Sequence, residues 1–284
     1  MKLTARGRVL DLSCPQVMGI LNVTPDSFSD GGTHNTFDSA LEHAVKMIKE
    51  GAAIIDVGGE STRPGANAVS EQEELERVIP VIEALAQRFD TWISVDTSKA
   101  AVMREAAKAG AHMINDVRAL QEPGALDAAA QSGLPICLMH MQGQPRTMQT
   151  EPHYENIISE VKTFLIQQME RCVAAGIAKN NLIFDPGFGF GKNLSHNYQL
   201  LADLQEFHHL GLPILAGMSR KSMIGQLLDV PPQERVTGSV ACAVIAAMKG
   251  ARIIRVHDVK ETVQAMQIVH ATLSASYPCR EYGI

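Results

Sequence analysis

The sequence predicts an α/β protein whose main body is a (β/α)8 TIM barrel, with an N-terminal β-hairpin. Eight short apolar segments, each suited to one buried strand, alternate with helical patterns along the chain. Alternating strands and helices favour parallel pairing. Eight such units in roughly 250 residues fit a closed barrel. A doubly wound open sheet is the alternative, but it gathers functional residues at one switch point, whereas polar residues end strands throughout this chain.

The elements follow one another without a linker or a change of composition, so we expect a single domain over residues 1–284. Gly7 separates two alternating runs and predicts a hairpin at about 2–12, before a barrel at about 17–275. Ser70, with Glu73 three residues later, predicts a capping box at the start of the second helix. The strands should end near residues 22, 56, 96, 115, 139, 185, 217 and 256, and the helices should span about 37–50, 70–89, 99–109, 124–132, 155–175, 200–210, 234–249 and 259–274.

Composition excludes several classes of protein. The net charge of −6 gives no overall basic field for nucleic acid or acidic membranes, so any anionic substrate needs a local cluster of bases. The first residues alternate charged and apolar types, unlike a signal peptide, and no apolar run approaches the ~20 residues of a membrane span. Five scattered cysteines without a C-x-x-C pair indicate a reducing compartment, so we expect the cytoplasm.

The segment LIFDPGFGFGK at 182–192 is the most distinctive in the chain. Three apolar residues precede Asp185, and a proline and glycines then end the strand. Neither a dinucleotide fingerprint nor a P-loop fits, since Lys192, Leu194 and Asn193 occupy positions that those motifs reserve for other residues. We therefore expect Asp185 at the carboxyl end of a buried strand, beside a glycine loop that does not cradle phosphate.

Other predicted strands also end on polar side chains. In a barrel these ends meet at one rim, where active sites lie. A single Asp after a strand is often only a helix cap, but few of these positions directly precede a helix. Amides and carboxylates suit a flat heterocycle with N–H and C=O edges, and bases suit an anion. The residues are Asn22, Asp56, Asp96, Asn115, Asp185, Lys221, Arg255 and His257, with Arg63 as a further base.

The loops after the first two strands are long and rich in glycine. Ser61, Thr62 and Arg63 could bind an oxyanion, and the alternative is a solvated loop without a role. Phe28 and Phe190 lie in glycine-rich loops outside any core stripe, which favours an aromatic lid over an aromatic substrate.

Four segments together resemble the dihydropteroate synthase family. They are ILNVTPDSFSDGG at 20–32, DVGGESTRPG at 56–65, DPGFGFGK at 185–192 and GMSRKSMIG at 217–225. The resemblance extends from about residue 17 to 270 and is nearest to chromosomal enterobacterial forms. It implies condensation of 6-hydroxymethyl-7,8-dihydropterin diphosphate with p-aminobenzoate, giving 7,8-dihydropteroate and diphosphate. It also implies inhibition by sulfonamides and a homodimer formed near Ser239–Met248.

The resemblance assigns roles to individual positions. It places pterin contacts at Asp56, Asp96, Asn115, Met139, Asp185, Lys221 and Arg255. It places diphosphate contacts at Asn22, Thr62, Arg63, Arg255 and His257, with Mg²⁺ as cofactor near Asn22. It places p-aminobenzoate and sulfonamide contacts at Phe28, Thr62, Arg63, Pro64, Phe190, Ser219, Lys221 and Ser222. Catalysis would involve Asp30, Arg63, Lys221 and Arg255.

Three other functions compete with this assignment. A methyltransferase of the pterin-binding barrels would keep Asp96, Asn115 and Asp185 but would need no diphosphate site. A non-catalytic pterin-binding paralogue should lack loop residues such as Asp30 or Arg63, and both are present. A Schiff-base aldolase would need its lysine within a barrel strand in apolar surroundings, whereas Lys221 follows a glycine by four residues and is next to Arg220.

Overall fold

Eight parallel strands form the centre of the computed structural model, which describes residues 1–24, 33–61, 68–143 and 152–276. Their spatial order is β8-β7-β6-β5-β4-β3-β10-β9, and a bridge between Phe184 and Ile214 joins the two outer strands into a nearly closed barrel. The predicted barrel is therefore confirmed. The strands are β3 Gln16–Asn22, β4 Ile54–Gly58, β5 Trp92–Asp96, β6 Met113–Asp116, β7 Ile136–Met139, β8 Leu182–Asp185, β9 Leu215–Ala216 and β10 Ile253–Val256.

The predicted N-terminal hairpin is also confirmed. β1 Lys2–Ala5 pairs antiparallel with β2 Arg8–Asp11, and both strands bury leucines in the same core as the barrel. Arg6 donates from Nε to the carbonyl of Ala111 at 3.0 Å, and Arg8 donates from Nη1 to the carbonyl of Thr91 at 2.7 Å. Because both carbonyls lie just before barrel strands begin, the hairpin covers the amino-terminal end of the barrel.

The helices surround the strands, and the capping box at Ser70 and Glu73 is present. They are α1 Thr33–Lys49, α2 Glu71–Arg88, α3 Ala100–Ala109, α4 Ala125–Ser132, α5 Ile157–Ala174, α6 Leu194–Ala202, α7 Ser222–Leu228, α8 Val236–Met248 and α9 Val259–Ser276. Within the described ranges, no helix has the length and apolar character needed to cross a membrane. Cys14, Cys137, Cys172 and Cys242 are free thiols.

Two helices differ from the prediction, and the first is α1, which begins at Thr33 and not at about 37. The helix expected at about 200–210 instead consists of α6 and a separate 3-10 turn, Leu204–Leu210. Asn193 starts α6 earlier because its side chain accepts from the backbone N–H of His196, forming a capping box that hydrophobic periodicity does not reveal. β9 ends at Ala216, close to the predicted position 217, and the chain then turns, with the backbone N–H of Lys221 donating to the carbonyl of Met218 at 3.1 Å.

The strand register brings polar side chains to one end of the barrel. Asp96 lies beside Asn115 on the neighbouring strand, and Asp185 lies beside Met139. Asn22 is paired with Gly58, which in turn is paired with Asp96. These positions are the carboxyl ends of their strands, where a barrel places its functional groups.

Candidate active site

The structure brings most of the predicted site residues to this rim. Asn22, Asp56, Asp96, Asn115, Met139, Asp185 and Arg255 lie on the strands, His257 directly follows β10, and Phe190, Ser219, Lys221 and Ser222 lie just beyond strand ends. Phe28, Asp30, Thr62, Arg63 and Pro64 lie outside the described residues.

Arg255 is the centre of a buried charge network. Its Nε donates to Asp56 Oδ2 at 2.6 Å, and its Nη2 donates to Asp96 Oδ2 at 2.7 Å. Asn115 Nδ2 donates to the same Asp56 oxygen at 3.0 Å. Asp56 is fully buried, so it orients Arg255 and Asn115 from beneath the surface of the site.

Burial and charge act in opposite directions on this network. Burial raises the pKa of Asp96 to about 7, although the Arg255 guanidinium lowers it. Burial alone would lower the pKa of Arg255, but Asp56 and Asp96 raise it overall. Arg255 therefore stays charged, and one cation serves two carboxylates from different strands.

The two polar residues at the end of β6 have different tasks. Asp116 is fully buried and accepts hydrogen bonds from Ser98 Oγ at 2.5 Å and from the backbone N–H groups of Arg118 and Leu120 at 2.8 Å. It holds the turn after the strand. Asn115, one residue earlier, has its side chain on the opposite face of the strand and reaches the charge network.

Asp185 ends β8 as predicted and is 6% exposed. Its Oδ1 accepts from the backbone N–H of Gly187 at 2.7 Å. Burial raises its pKa, while Lys221, Lys192 and Arg255 lower it. A buried carboxylate surrounded by cations can accept hydrogen bonds from a ligand with an N–H edge.

The glycine loop after Asp185 provides backbone conformations that other residues rarely adopt. Gly187, Gly189 and Gly191 have φ values of 73°, 81° and 63°. A Cβ at Gly187 would lie 1.8 Å from the carbonyl oxygen of His140, and one at Gly191 would lie 2.4 Å from that of Gln142. The glycines therefore allow the loop to pack directly on the chain after β7.

Lys221 lies over this loop. Its Nζ donates to the carbonyl of Phe188 at 2.6 Å and is 4.6 Å from the ring centre of Phe190. Burial lowers its pKa to about 8, although Asp185 raises it. Phe190 also packs with Met139, Val117 and Met141. A lysine beyond its strand, bound to a carbonyl and an aromatic face, does not match the apolar strand position of a Schiff-base lysine.

A second cluster fixes the turn that presents Lys221. Ser219 Oγ lies 3.0 Å from His257 Nδ1 and accepts from the His257 backbone N–H at 3.1 Å. Arg220 has φ of 57° and binds Asp258 through Nε at 2.9 Å and Nη2 at 2.5 Å. Its backbone N–H also donates to Ser239 Oγ at 2.9 Å. Sequence reasoning missed Asp258, which follows His257 and resembles an ordinary helix-capping residue.

The chain that leads to residues 62–67 is also fixed by charge. Lys99 Nζ contacts the carboxylates of Glu60 and Glu74, and Arg77 Nη1 donates to the carbonyl of Gly59 at 2.9 Å. Glu74 is almost fully buried. The capping motif at Ser70 predicted the helix that carries Glu74, but nothing in the sequence pattern linked Glu74 to Lys99.

Asn22 offers an amide oxygen at the end of β3. A Cβ at Gly58 would lie 3.8 Å from Asn22 Oδ1 and 3.4 Å from Asp96 Cβ, so the two side chains flank that glycine. Among the described residues, no three His, Cys, Asp or Glu side chains are grouped as metal ligands. These residues therefore fit Mg²⁺ only if the protein supplies one oxygen ligand, from Asn22, and substrate phosphates and water supply the others.

Comparison with known proteins decides the family. A model described as pterin binding enzyme matches residues 18–257. The dihydropteroate synthase of Escherichia coli strain K12 is 70% identical over 275 residues, which cover 97% of this chain and 98% of the relative. The chain belongs to the dihydropteroate synthase family. Like other dihydropteroate synthases, it is a pterin-binding transferase.

Other dihydropteroate synthases agree in sequence and in structure. The Haemophilus influenzae enzyme is 60% identical and covers 97% of this chain and 100% of its own length. A crystal structure of the Yersinia pestis dihydropteroate synthase with a sulfonamide drug complex has 73% identity and a TM-score of 0.93. It covers 96% of this chain and 100% of its own. A Xanthomonas albilineans dihydropteroate synthase with 4-aminobenzoic acid has 52% identity and a TM-score of 0.91, covering 96% and 98% of the two chains.

Proposed function

We propose that this chain joins 6-hydroxymethyl-7,8-dihydropterin diphosphate to p-aminobenzoate in folate biosynthesis and releases diphosphate. The observation behind this assignment is the grouping of Asp96, Asn115, Asp185, Lys221 and Arg255 at one barrel rim, in a chain 70% identical to a dihydropteroate synthase. The reaction breaks the C–O bond to diphosphate and forms a C–N bond to the amine, which loses one proton.

Acceptors and donors at the rim would recognise the pterin. Asp185 would accept from the amide and amino groups of the ring edge, and Asp96 and Asn115 would contact other ring atoms. Lys221 would donate to the carbonyl side, and Arg255 would stack its guanidinium on the ring. Asp56 would hold Arg255 and Asn115, and Met139 would form part of the pocket wall.

Positive charge would stabilise the departing diphosphate. Arg255 and His257 lie on the described part of the rim, while Thr62 and Arg63 are assigned by sequence alone. Mg²⁺ near Asn22 would supply further positive charge to the phosphates when bound. Because the leaving group departs from a carbon conjugated with the ring, a cation-like transition state fits the site. The neutral aniline then needs no strong general base.

The aminobenzoate region would lie above the pterin. We assign Phe190, Ser219, Lys221 and Ser222 to it, because they lie just beyond strand ends at the rim. We assign Phe28, Thr62, Arg63 and Pro64 to the same region, and Asp30 to catalysis, by sequence alone. The Yersinia pestis relative with a sulfonamide drug supports the proposal that sulfonamides compete for this region. Since p-aminobenzoate and sulfonamides are both para-substituted anilines, one pocket would accept either.

The decisive experiment measures diphosphate release with purified chain and pterin diphosphate, with and without p-aminobenzoate. We expect release that depends on p-aminobenzoate, with a sulfonamide as a competitive inhibitor. Absence of turnover would contradict the function, and purely noncompetitive inhibition would contradict the shared pocket. Methyl transfer from a methylated pterin would instead favour a methyltransferase.

We also propose a homodimer and a cytoplasmic location. Large apolar side chains are exposed on α7, α8 and α9, including Leu227, Ile245, Met248 and Ile268 at 57%, 43%, 47% and 70%. Such a grouping on the C-terminal helices supports association with a second copy. The four free thiols support a reducing compartment.

A further inference from the structure

Lys192 is a buried lysine for which the proposed reaction has no role. Lys192 directly follows Gly191 of the glycine loop, and its side chain turns back towards that loop. The residue is 2% exposed. Nζ lies 2.9 Å from His140 Nδ1, 2.9 Å from the carbonyl oxygen of Phe190 and 3.4 Å from the carbonyl oxygen of His140. A lysine is almost never buried to this degree without partners.

The three acceptors match the three N–H groups of an ammonium ion. Burial lowers the pKa of His140 to about 2, so its ring is neutral, and Nδ1 accepts when the ring proton is on Nε2. Burial also lowers the pKa of Lys192 well below its ordinary value, while the Asp185 carboxylate raises it. A neutral amine would still donate to two of the three acceptors. Lys192 can therefore hold these three groups in place through its hydrogen bonds whether or not it is charged.

These contacts cross-link the loop to itself and to the end of β7. Phe190 is held by its carbonyl to Lys192, while its ring faces Lys221. The carbonyl of Phe188, two residues earlier in the same loop, accepts from Lys221. Two further contacts tie the loop to residues outside the rim. The Tyr154 hydroxyl donates to the Gly191 carbonyl at 2.8 Å, and the backbone N–H of Gly189 donates to Asn197 Oδ1 on α6 at 2.7 Å.

We propose that Lys192 is a positioning residue that sets the Phe190 ring and the Phe188 carbonyl, and through them Lys221, for the second substrate. This inference rests on the proposed function, because its main readout is the synthase reaction. In the described part of the chain, Lys192 Nζ forms its hydrogen bonds with His140 and Phe190 and not with the pterin partners Asp96, Asn115 and Asp185, although its charge lowers the pKa of Asp185. Loss of Lys192 should therefore affect p-aminobenzoate more than the pterin.

The test compares Lys192→Met, which keeps an unbranched side chain but removes every donor, with Lys192→Gln, which keeps a shorter donor. Lys108→Met is the matched control, since Lys108 is exposed and pairs with Glu105 on α3. For each variant, we would measure kcat, the KM of both substrates, the calorimetric affinity for pterin diphosphate and the thermal midpoint. Turnover by the parent chain tests the proposed function separately from the role of Lys192.

We expect Lys192→Met to raise the KM of p-aminobenzoate about tenfold or more, because small displacements of positioning groups are costly. Pterin diphosphate affinity should change less than about threefold, and Lys192→Gln should recover part of the loss. If Lys192→Met does not fold, the change in the KM of p-aminobenzoate is compared with the change in pterin diphosphate affinity in Lys192→Gln. An unchanged KM in a folded variant, or equal losses for both substrates, would overturn the proposal.

Discussion

Arg255 Nε donates to Asp56 Oδ2 at 2.6 Å across the inside of the barrel, joining two residues that are 199 positions apart in sequence. The same carboxylate oxygen also accepts a hydrogen bond from Asn115 Nδ2. Asp56 thus aligns a cation and an amide that we propose contact the pterin, without being exposed to solvent itself. A single buried oxygen determines the direction of two proposed ligand contacts.

Asp56→Asn should lower kcat/KM for pterin diphosphate by at least about tenfold, because removing one member of a buried charge pair leaves the other poorly compensated. Steady-state kinetics with p-aminobenzoate held in excess would measure this. Ser94→Ala is the matched control, since Ser94 is fully buried and paired in register with Asp56 on the next strand. A normal kcat/KM in Asp56→Asn would show that Arg255 does not need this support.

Two substitutions in the same loop region should separate the two substrates. Asp185→Asn should weaken pterin binding about tenfold or more, because an amide cannot accept at both oxygen positions. Phe190→Ala should mainly raise the KM of p-aminobenzoate and alter sulfonamide inhibition. Calorimetry with the pterin and kinetics with both substrates would be run on each variant. Identical profiles for the two variants would refute the division of the site.

Asp258→Asn should loosen the turn that carries Ser219 and Lys221. It removes the charge that holds the Arg220 guanidinium by two hydrogen bonds. We expect a rise in the KM of p-aminobenzoate of roughly threefold to tenfold, since charge-assisted bidentate pairs are among the stronger hydrogen bonds. Glu105→Gln, which breaks an exposed pair on α3, is the control and should leave kinetics unchanged.

His112 should make the fold sensitive to acid. It is 3% exposed, its Nδ1 accepts from the backbone N–H of Ile93 at 3.2 Å, and burial lowers its pKa from 6.5 to about 4. The unfolded chain therefore binds a proton at a higher pH than the folded chain, and stability falls as pH drops from 6.5 towards 4, by about 3 kcal/mol at most.

Denaturant unfolding of the parent and of His112→Gln between pH 7 and pH 4 would measure this contribution. In this pH range, unfolding of His112→Gln should take up roughly one proton fewer than unfolding of the parent. Glutamine retains an acceptor for Ile93. His270→Gln, at an exposed position of α9, should leave the pH profile of the parent unchanged. Parallel profiles for His112→Gln and the parent would contradict the prediction.

Ile245→Glu should weaken the proposed homodimer. A charge among the exposed apolar side chains of α8 and α9 would have to be desolvated on association. Light scattering with size-exclusion chromatography should show the monomer mass at concentrations where the parent is dimeric. Val173→Glu is the control, because Val173 is similarly exposed, at 47%, but lies on α5. Equal masses for the parent and Ile245→Glu would argue against this surface.

The repeating pattern predicted the barrel, the hairpin and the rim residues because strand periodicity and glycine-terminated helices depend on nearby residues. Local pattern also predicted Ser70 and Glu73 correctly. It missed the start of α6 at Asn193, since a side-chain cap interrupts no hydrophobic repeat. It did predict the end of β9, which lies at Ala216 near the predicted 217, just before the turn at Met218 and Lys221.

The long-range pairs were harder to predict. Nothing near Arg255 in the sequence indicates that Asp56 and Asp96 will share its guanidinium, because the pairing depends on barrel closure. The same holds for Lys192 and His140, which are 52 positions apart. The sequence indicated which residue types face the rim, but only the fold determines which of them contact each other.

The hairpin over the amino-terminal end of the barrel has a kinetic consequence. With that end covered and the strand interior filled by buried side chains, ligands must arrive and depart at the opposite end. Since Asp56 and Asn115 are buried, whereas Lys221 and Ser222 are more accessible to solvent, we expect the pterin to enter first and p-aminobenzoate second. Both products then share one exit, and slow departure of either would delay the next round.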